Sequence, residues 1–182
     1  MKKLLIFILI VLFAPLLAAL YGVLHDQFTY TISPEYYTKF KFIQFELVEN
    51  KQEAIISNQR VFVAAVGAMA TWWMGIPIGI ILALVGLIHR EWREMLNVTL
   101  HAFALTIVVA FLTGLIGLGY GYYSFASDPG YFTSGWYLPK NLVDVRDFVA
   151  VGSMHNFSYI GGAMGLLAAI YFSVRRKWNG GY

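Results

Sequence analysis

The sequence predicts an all-α integral membrane fold, a four-helix transmembrane bundle in one domain (residues 1–182) with a structured first outer loop that contains a short amphipathic helix. Three observations predict it. Hydrophobic residues make up 59% of the 182 and charged residues 13%, about half the charged share of a soluble domain. Four apolar stretches, Leu4–Leu24, Phe62–Ile88, Val98–Tyr123 and Phe157–Val174, approach or exceed the ~20 residues that carry a helix across ~30 Å of hydrocarbon. Basic residues cluster at the ends of these stretches and leave their middles uncharged.

The same composition removes several classes. No cysteine is present, which excludes disulfides, thiolate zinc sites, iron–sulfur clusters and c-type haem attachment. No phosphate-binding glycine pattern or serine-elbow motif occurs. A net charge of +3, distributed over segment ends, is no nucleic-acid footprint.

The first stretch follows Met1-Lys2-Lys3 and resembles a signal peptide, with small residues at Ala18-Ala19. Its apolar run is longer than the 7–15 residues of a signal core, so it is read as an uncleaved spanning helix. Loop charge sets the orientation. With the N-terminus inside, the inner segments hold Lys2, Lys3, Arg90, Arg93, Arg175, Arg176 and Lys177 against Glu91 and Glu94. The outer loops mix Lys39, Lys41, Lys51, Arg60, Lys140 and Arg146 with a larger number of acidic residues. Both termini are therefore expected in the cytoplasm.

In the first outer loop, about 25–60, Phe28, Tyr30 and Ile32 alternate with polar residues and read as a short strand or extended segment. Ser33-Pro34-Glu35 then reads as a helix start, with serine as N-cap and proline at the first position. The following helix is expected to reach about Leu47 and to bury a face carrying Tyr37 and Phe40. The second outer loop, about 124–150, is rich in Tyr, Trp, Gly and Pro, residues suited to the membrane interface. The fourth helix is placed at about 155–174, with Asn141 as a candidate cap for any extension and Asp144 in its first turn. Gly75/Gly79, Gly117/Gly121 and Gly161/Gly165 each place two glycines on one helix face, where backbones approach closely. Pro77 is expected to bend the second helix.

Polar residues are informative by depth. His25 lies 22 residues past Lys3 and His155 20 residues before Arg175, or roughly 33 and 30 Å along a helix. Both reach the outer boundary, near Asp26 and Glu35. Two imidazoles and a carboxylate, Asp26 or Glu35, suit zinc, copper or non-haem iron, and two facing imidazoles suit a b-type haem. The competing reading makes the histidines separate interface anchors. His101 lies two turns into the third helix, where an ionisable group is a functional candidate by default. It is expected to touch another helix or to bond a backbone carbonyl.

The segments HDQFTYTISPEYYTKFKFIQF (25–45), WWMGIPIGIILALVGLIH (72–89) and MHNFSYIGG (154–162) together resemble a group of uncharacterised bacterial four-helix inner-membrane proteins. The resemblance implies a bacterial inner-membrane location and a four-helix bundle, and brings no catalytic residues. The resulting expectation is a binding, scaffold or accessory role at the outer face, with the bilayer and a membrane-protein partner as surroundings and no nucleic acid. The alternative is a metal- or haem-binding oxidoreductase at His25 and His155. A transporter ranks third, because the midplane is almost wholly apolar.

Overall fold

The computed structural model describes residues 1–48 and 57–179. Glu49, Lys51 and Glu53, part of the first loop's charge balance, lie outside the described residues. Among the described residues, four helices are long and apolar enough to cross a membrane: α1 (Lys2–Ile32), α4 (Gln59–Gly86), α5 (Trp92–Ser127) and α7 (Val145–Asn179). Short elements fill the loop end: α2 (Pro34–Tyr36), a π-helical turn (Tyr37–Lys41), α3 (Phe42–Gln44) and α6 (Pro129–Thr133). Among the described residues there is no strand.

The spanning helices run past their expected ends. Phe28, Tyr30 and Ile32 are helical, not extended, as the last turns of α1. Nothing between Val23 and Ile32 breaks a helix, and the Thr29 hydroxyl bonds back to the carbonyls of His25 (3.2 Å) and Asp26 (3.3 Å). Their alternation reflects aromatic packing: Phe28 meets Phe111, and Tyr30 meets Tyr37. Pro34 then ends α1, forcing Ser33 out of the helical region (φ −131, ψ 89). Ser33 is buried but its side chain makes no cap bond, which corrects the expected N-cap.

The segment after Pro34 is helical only to Gln44, and the π turn alters its register. Tyr36, Tyr37 and Phe42 are buried and Phe40 only partly, because the wider turn rotates the face that a regular helix would present. α7 begins at Val145, well before residue 155. Asp144 is its cap, accepting from the Asp147 amide at 2.9 Å, whereas Asn141 takes a left-handed turn (φ 62). Pro15 and Pro77 lie inside helices that continue past them.

The bundle is two close pairs, α1 with α4 and α5 with α7, that meet each other less intimately. Glycine makes each pair. A Cβ on Gly22 would stand 2.2 Å from the Gly67 carbonyl, and one on Gly75 2.5 Å from that of Ala14. A Cβ on Gly165 would stand 2.7 Å from the Thr106 carbonyl. The small residues thus serve packing within the chain. One core, around Ile10, Leu82, Met95 and Phe103, lies toward the basic end, where the Lys3 ammonium donates to the Leu87 (2.7 Å) and His89 (2.8 Å) carbonyls. A second core closes the loop end with Tyr36, Tyr37, Phe42, Val63 and Phe148.

Candidate metal centre

The two helix pairs bring His25 and Asp26 of α1 against His155 of α7, beneath the loop-end core. All three are buried, and one donor atom from each lies within 4.8 Å of the others. The Asp26 Oδ1 atom is the hub: His25 Nδ1 is 3.1 Å from it and His155 Nε2 3.2 Å. The two imidazoles meet edge to face with centroids 4.8 Å apart.

The outward-facing nitrogens are also held. His155 Nδ1 is 2.9 Å from the Val151 carbonyl, one turn back on α7, and His25 Nε2 is 3.1 Å from Ser158 Oγ. Gly114 makes room for that serine, since a Cβ there would stand 2.2 Å from Ser158 Oγ. A ceiling of rings covers the cluster. Tyr36 lies 4.9 Å from the His155 ring, and Tyr37, whose hydroxyl is 2.6 Å from Thr29 Oγ1, lies 6.4 Å from it. Burial, followed by the negative field of Asp26, pushes both phenols above the ordinary tyrosine range, so they stay protonated.

Proton counting constrains the hub. A carbonyl only accepts, so His155 Nδ1 carries a hydrogen and donates to Val151. With neutral imidazole, Nε2 then turns a lone pair toward a carboxylate oxygen. Two acceptors at 3.2 Å repel unless a cation sits between them, and that cation is either a shared proton or a metal ion. Without it, a net negative charge would be buried, which is strongly unfavourable.

Glu35 is not part of this cluster. Its carboxylate accepts from the amides of Val143 (3.0 Å) and Asp144 (2.8 Å) and pairs with Lys39. Lys39 also donates to the Asn141 carbonyl at 2.6 Å. Glu35 therefore ties the first loop to the start of α7. Its partial burial would raise the carboxyl, but the Lys39 and backbone N–H bonds outweigh this and hold it below the ordinary glutamate range. His101 makes no hydrogen bond to another helix among the described residues. It is exposed on the flank of α5, and its ring bonds the Asn97 carbonyl of the previous turn at 2.8 Å.

Ser158 and Tyr21 were not singled out from the sequence, although their spacing marks them. Ser158 follows His155 by three positions and Tyr21 precedes His25 by four, so each shares its histidine's helix face. His89, in the turn between α4 and α5, is wholly buried, with Nε2 3.2 Å from Ser173 Oγ and Nδ1 3.2 Å from the Glu94 carboxylate. The second contact is poorly aligned for a hydrogen bond. Comparison of the chain with protein-family models, with curated proteins and with solved structures finds no match.

Proposed function

We propose that this multi-pass membrane protein binds one divalent transition-metal ion at His25, Asp26 and His155. The carrying observation is the convergence of three buried donor atoms from two distant segments within 4.8 Å. The arrangement around them supports it. Metal-binding histidines usually donate the other ring N–H to a carbonyl or another oxygen, which fixes the tautomer. His155 has Val151 for this and His25 has Ser158, leaving His155 Nε2, His25 Nδ1 and Asp26 Oδ1 facing one another. A set of two imidazoles and one carboxylate suits zinc or ferrous iron and leaves coordination positions open. A b-type haem fits less well, because the rings touch edge to face around Asp26 and would have to part to admit a macrocycle.

The location proposed is the bacterial cytoplasmic membrane with both termini in the cytoplasm, supported by the basic residues at the Lys3, Arg90 and Arg175 end. The metal would then lie in the outer third. Two of the three cluster residues, His25 and Asp26, come from α1, which supports retention of that helix in the working protein.

A second reading is favoured by the closure of the contacts: the cluster is a polar clamp between α1 and α7, holding a proton where the metal would sit. Metal analysis of detergent-purified protein, followed by titration with cobalt(II) as a coloured stand-in, separates the two. Metal binding predicts about one ion per chain and a visible cobalt band, both lost in Asp26→Asn. Absence of saturable binding by zinc, iron or cobalt leaves the clamp.

A further inference from the structure

Directly below the cluster, the gap between the two helix pairs opens into a cavity of roughly 100 Å³. Its walls are apolar and small, with Ala14, Ala18, Ala70 and Gly75 beside Met74 and Phe103. Its roof is polar: His25, Asp26, His155, Ser158 and Tyr21 all line it. The Tyr21 hydroxyl is buried beside Ser158 without a well-aligned hydrogen bond, and a buried hydroxyl left without one is unfavourable. Tyr159 lines the same cavity and is exposed on the flank of α7, so the space reaches the surface that the helix lengths assign to lipid.

We infer that this cavity binds the oxygen-bearing end of an unbranched, uncharged lipid-soluble chain, of the long-chain alcohol or aldehyde class, which enters from the bilayer past Tyr159. The volume favours a slender chain over a ring: about 150 Å³ is the size of an enclosed cavity that holds a benzene, and the space here is roughly 100 Å³. The polar roof decides for an oxygen at the tip. Tyr21 can donate to it, and Ser158 offers a second hydroxyl. The charge decides for a neutral head, since a carboxylate or phosphate would face Asp26 in a water-poor site. This inference shares the cluster with the metal reading and does not require an ion.

The experiment is photolabelling of the purified full-length protein in detergent with a hexadecanol analogue carrying a diazirine near the hydroxyl, with mass-spectrometric mapping of the adducts. The expected result is labelling at Tyr21, Met74 or Phe103 that excess hexadecanol suppresses. Tyr21→Phe should weaken that competition about fivefold, the worth of one hydrogen bond. Ala70→Phe, which fills the space from α4, should abolish labelling while an unchanged thermal midpoint shows that the fold is intact. If Ala70→Phe unfolds the protein, Ala18→Leu fills the same space from α1. In protein stripped of metal with a chelator the labelling should persist, so loss of the metal and loss of the chain are read separately. Labelling confined to the lipid-facing flank, or undiminished by either filling variant, overturns the inference. So does suppression by a ring-headed quinone and not by hexadecanol.

Discussion

His155 Nε2 and Asp26 Oδ1 stand 3.2 Å apart across 129 residues of sequence, and the Val151 carbonyl on the far side of the ring leaves no cation-free way to hold them there. This contact joins the N-terminal helix pair to the C-terminal one at the level where the loop-end core begins. Its consequences differ from those of an ordinary interface histidine, which needs one hydrogen bond and some water.

The Glu35 latch is the first place to test. Removing its charge with Glu35→Gln loses the Lys39 ion pair and weakens the bonds from Val143 and Asp144. Hydrogen bonds to charged groups contribute about 1.5–3 kcal/mol, and partial exposure brings the expected loss toward the lower end. The pH dependence has a definite sign. A carboxyl held below its ordinary value stabilises the fold fully above the unfolded-state pKa of about 4.3, and that contribution is lost as pH falls through the folded value. Thermal melts of wild type and Glu35→Gln in detergent should therefore differ by a constant amount near neutrality and converge below about pH 4. A gap that widens on acidification would contradict the latch.

Gly22 and Gly119 make a matched pair for packing. Alanine at Gly22 drives a methyl to 2.2 Å from a backbone oxygen, whereas Gly119 has nothing within 4 Å of the added carbon. Gly22→Ala should destabilise by about 1–3 kcal/mol, because two backbones must separate. Gly119→Ala should be neutral or stabilising by up to about 1 kcal/mol, from helix propensity. Equal melting temperatures for the two variants would mean that α1 and α4 do not cross at Gly22 and Gly67.

Much of this was legible in the sequence, for reasons that particular residues make plain. The four spans were readable because hydrocarbon admits little but apolar side chains, and the depth count placed His25 and His155 together because rise per residue is fixed. The choice between Asp26 and Glu35 was not readable. Both lie within a few residues of the outer boundary, and only the helical continuation through Phe28 and Tyr30 carries Glu35 away toward Val143. The extended reading of 28–32 failed because a two-residue alternation of aromatics over so few residues fits a helix whose sides all find ring partners. The π turn at Tyr37–Lys41 had no local signal.

His101 tests the flank. Its ring is exposed and satisfied within its own helix, so it does not bridge to a neighbour. His101→Leu should change stability by no more than about 0.5 kcal/mol, the range of substitutions away from buried features. It should also leave metal content unchanged. A drop of several degrees in the thermal midpoint would show that His101 has a partner outside this chain or in another conformation.

Topology is open to direct measurement. Fusions of a periplasm-active enzyme after Glu53, Glu91 and Tyr182 should be active only at Glu53, with a cytoplasm-active reporter giving the reverse. Activity of the periplasmic reporter at Glu91 would invert the bundle and place the cluster on the cytoplasmic side.

The sharpest prediction separates removal of an imidazole from removal of the charge it compensates. His155→Ala leaves Asp26 buried with only His25 beside it. Breaking a buried pair from one side destabilises by about 3–5 kcal/mol, since the remaining charge has lost its partner. Asp26→Asn behaves differently. An amide N–H can donate to the His155 Nε2 lone pair while Nδ1 keeps its bond to Val151, so the hub is satisfied without any shared proton. In protein stripped of metal, its stability should stay within about 1 kcal/mol of wild type, and the double variant His155→Ala/Asp26→Asn should recover most of what His155→Ala loses. Thermal midpoints of the four proteins, measured in one detergent, form the cycle. If His155→Ala melts with wild type, or the double variant melts no higher than His155→Ala, then Asp26 and His155 are not coupled and the hub does not exist as described.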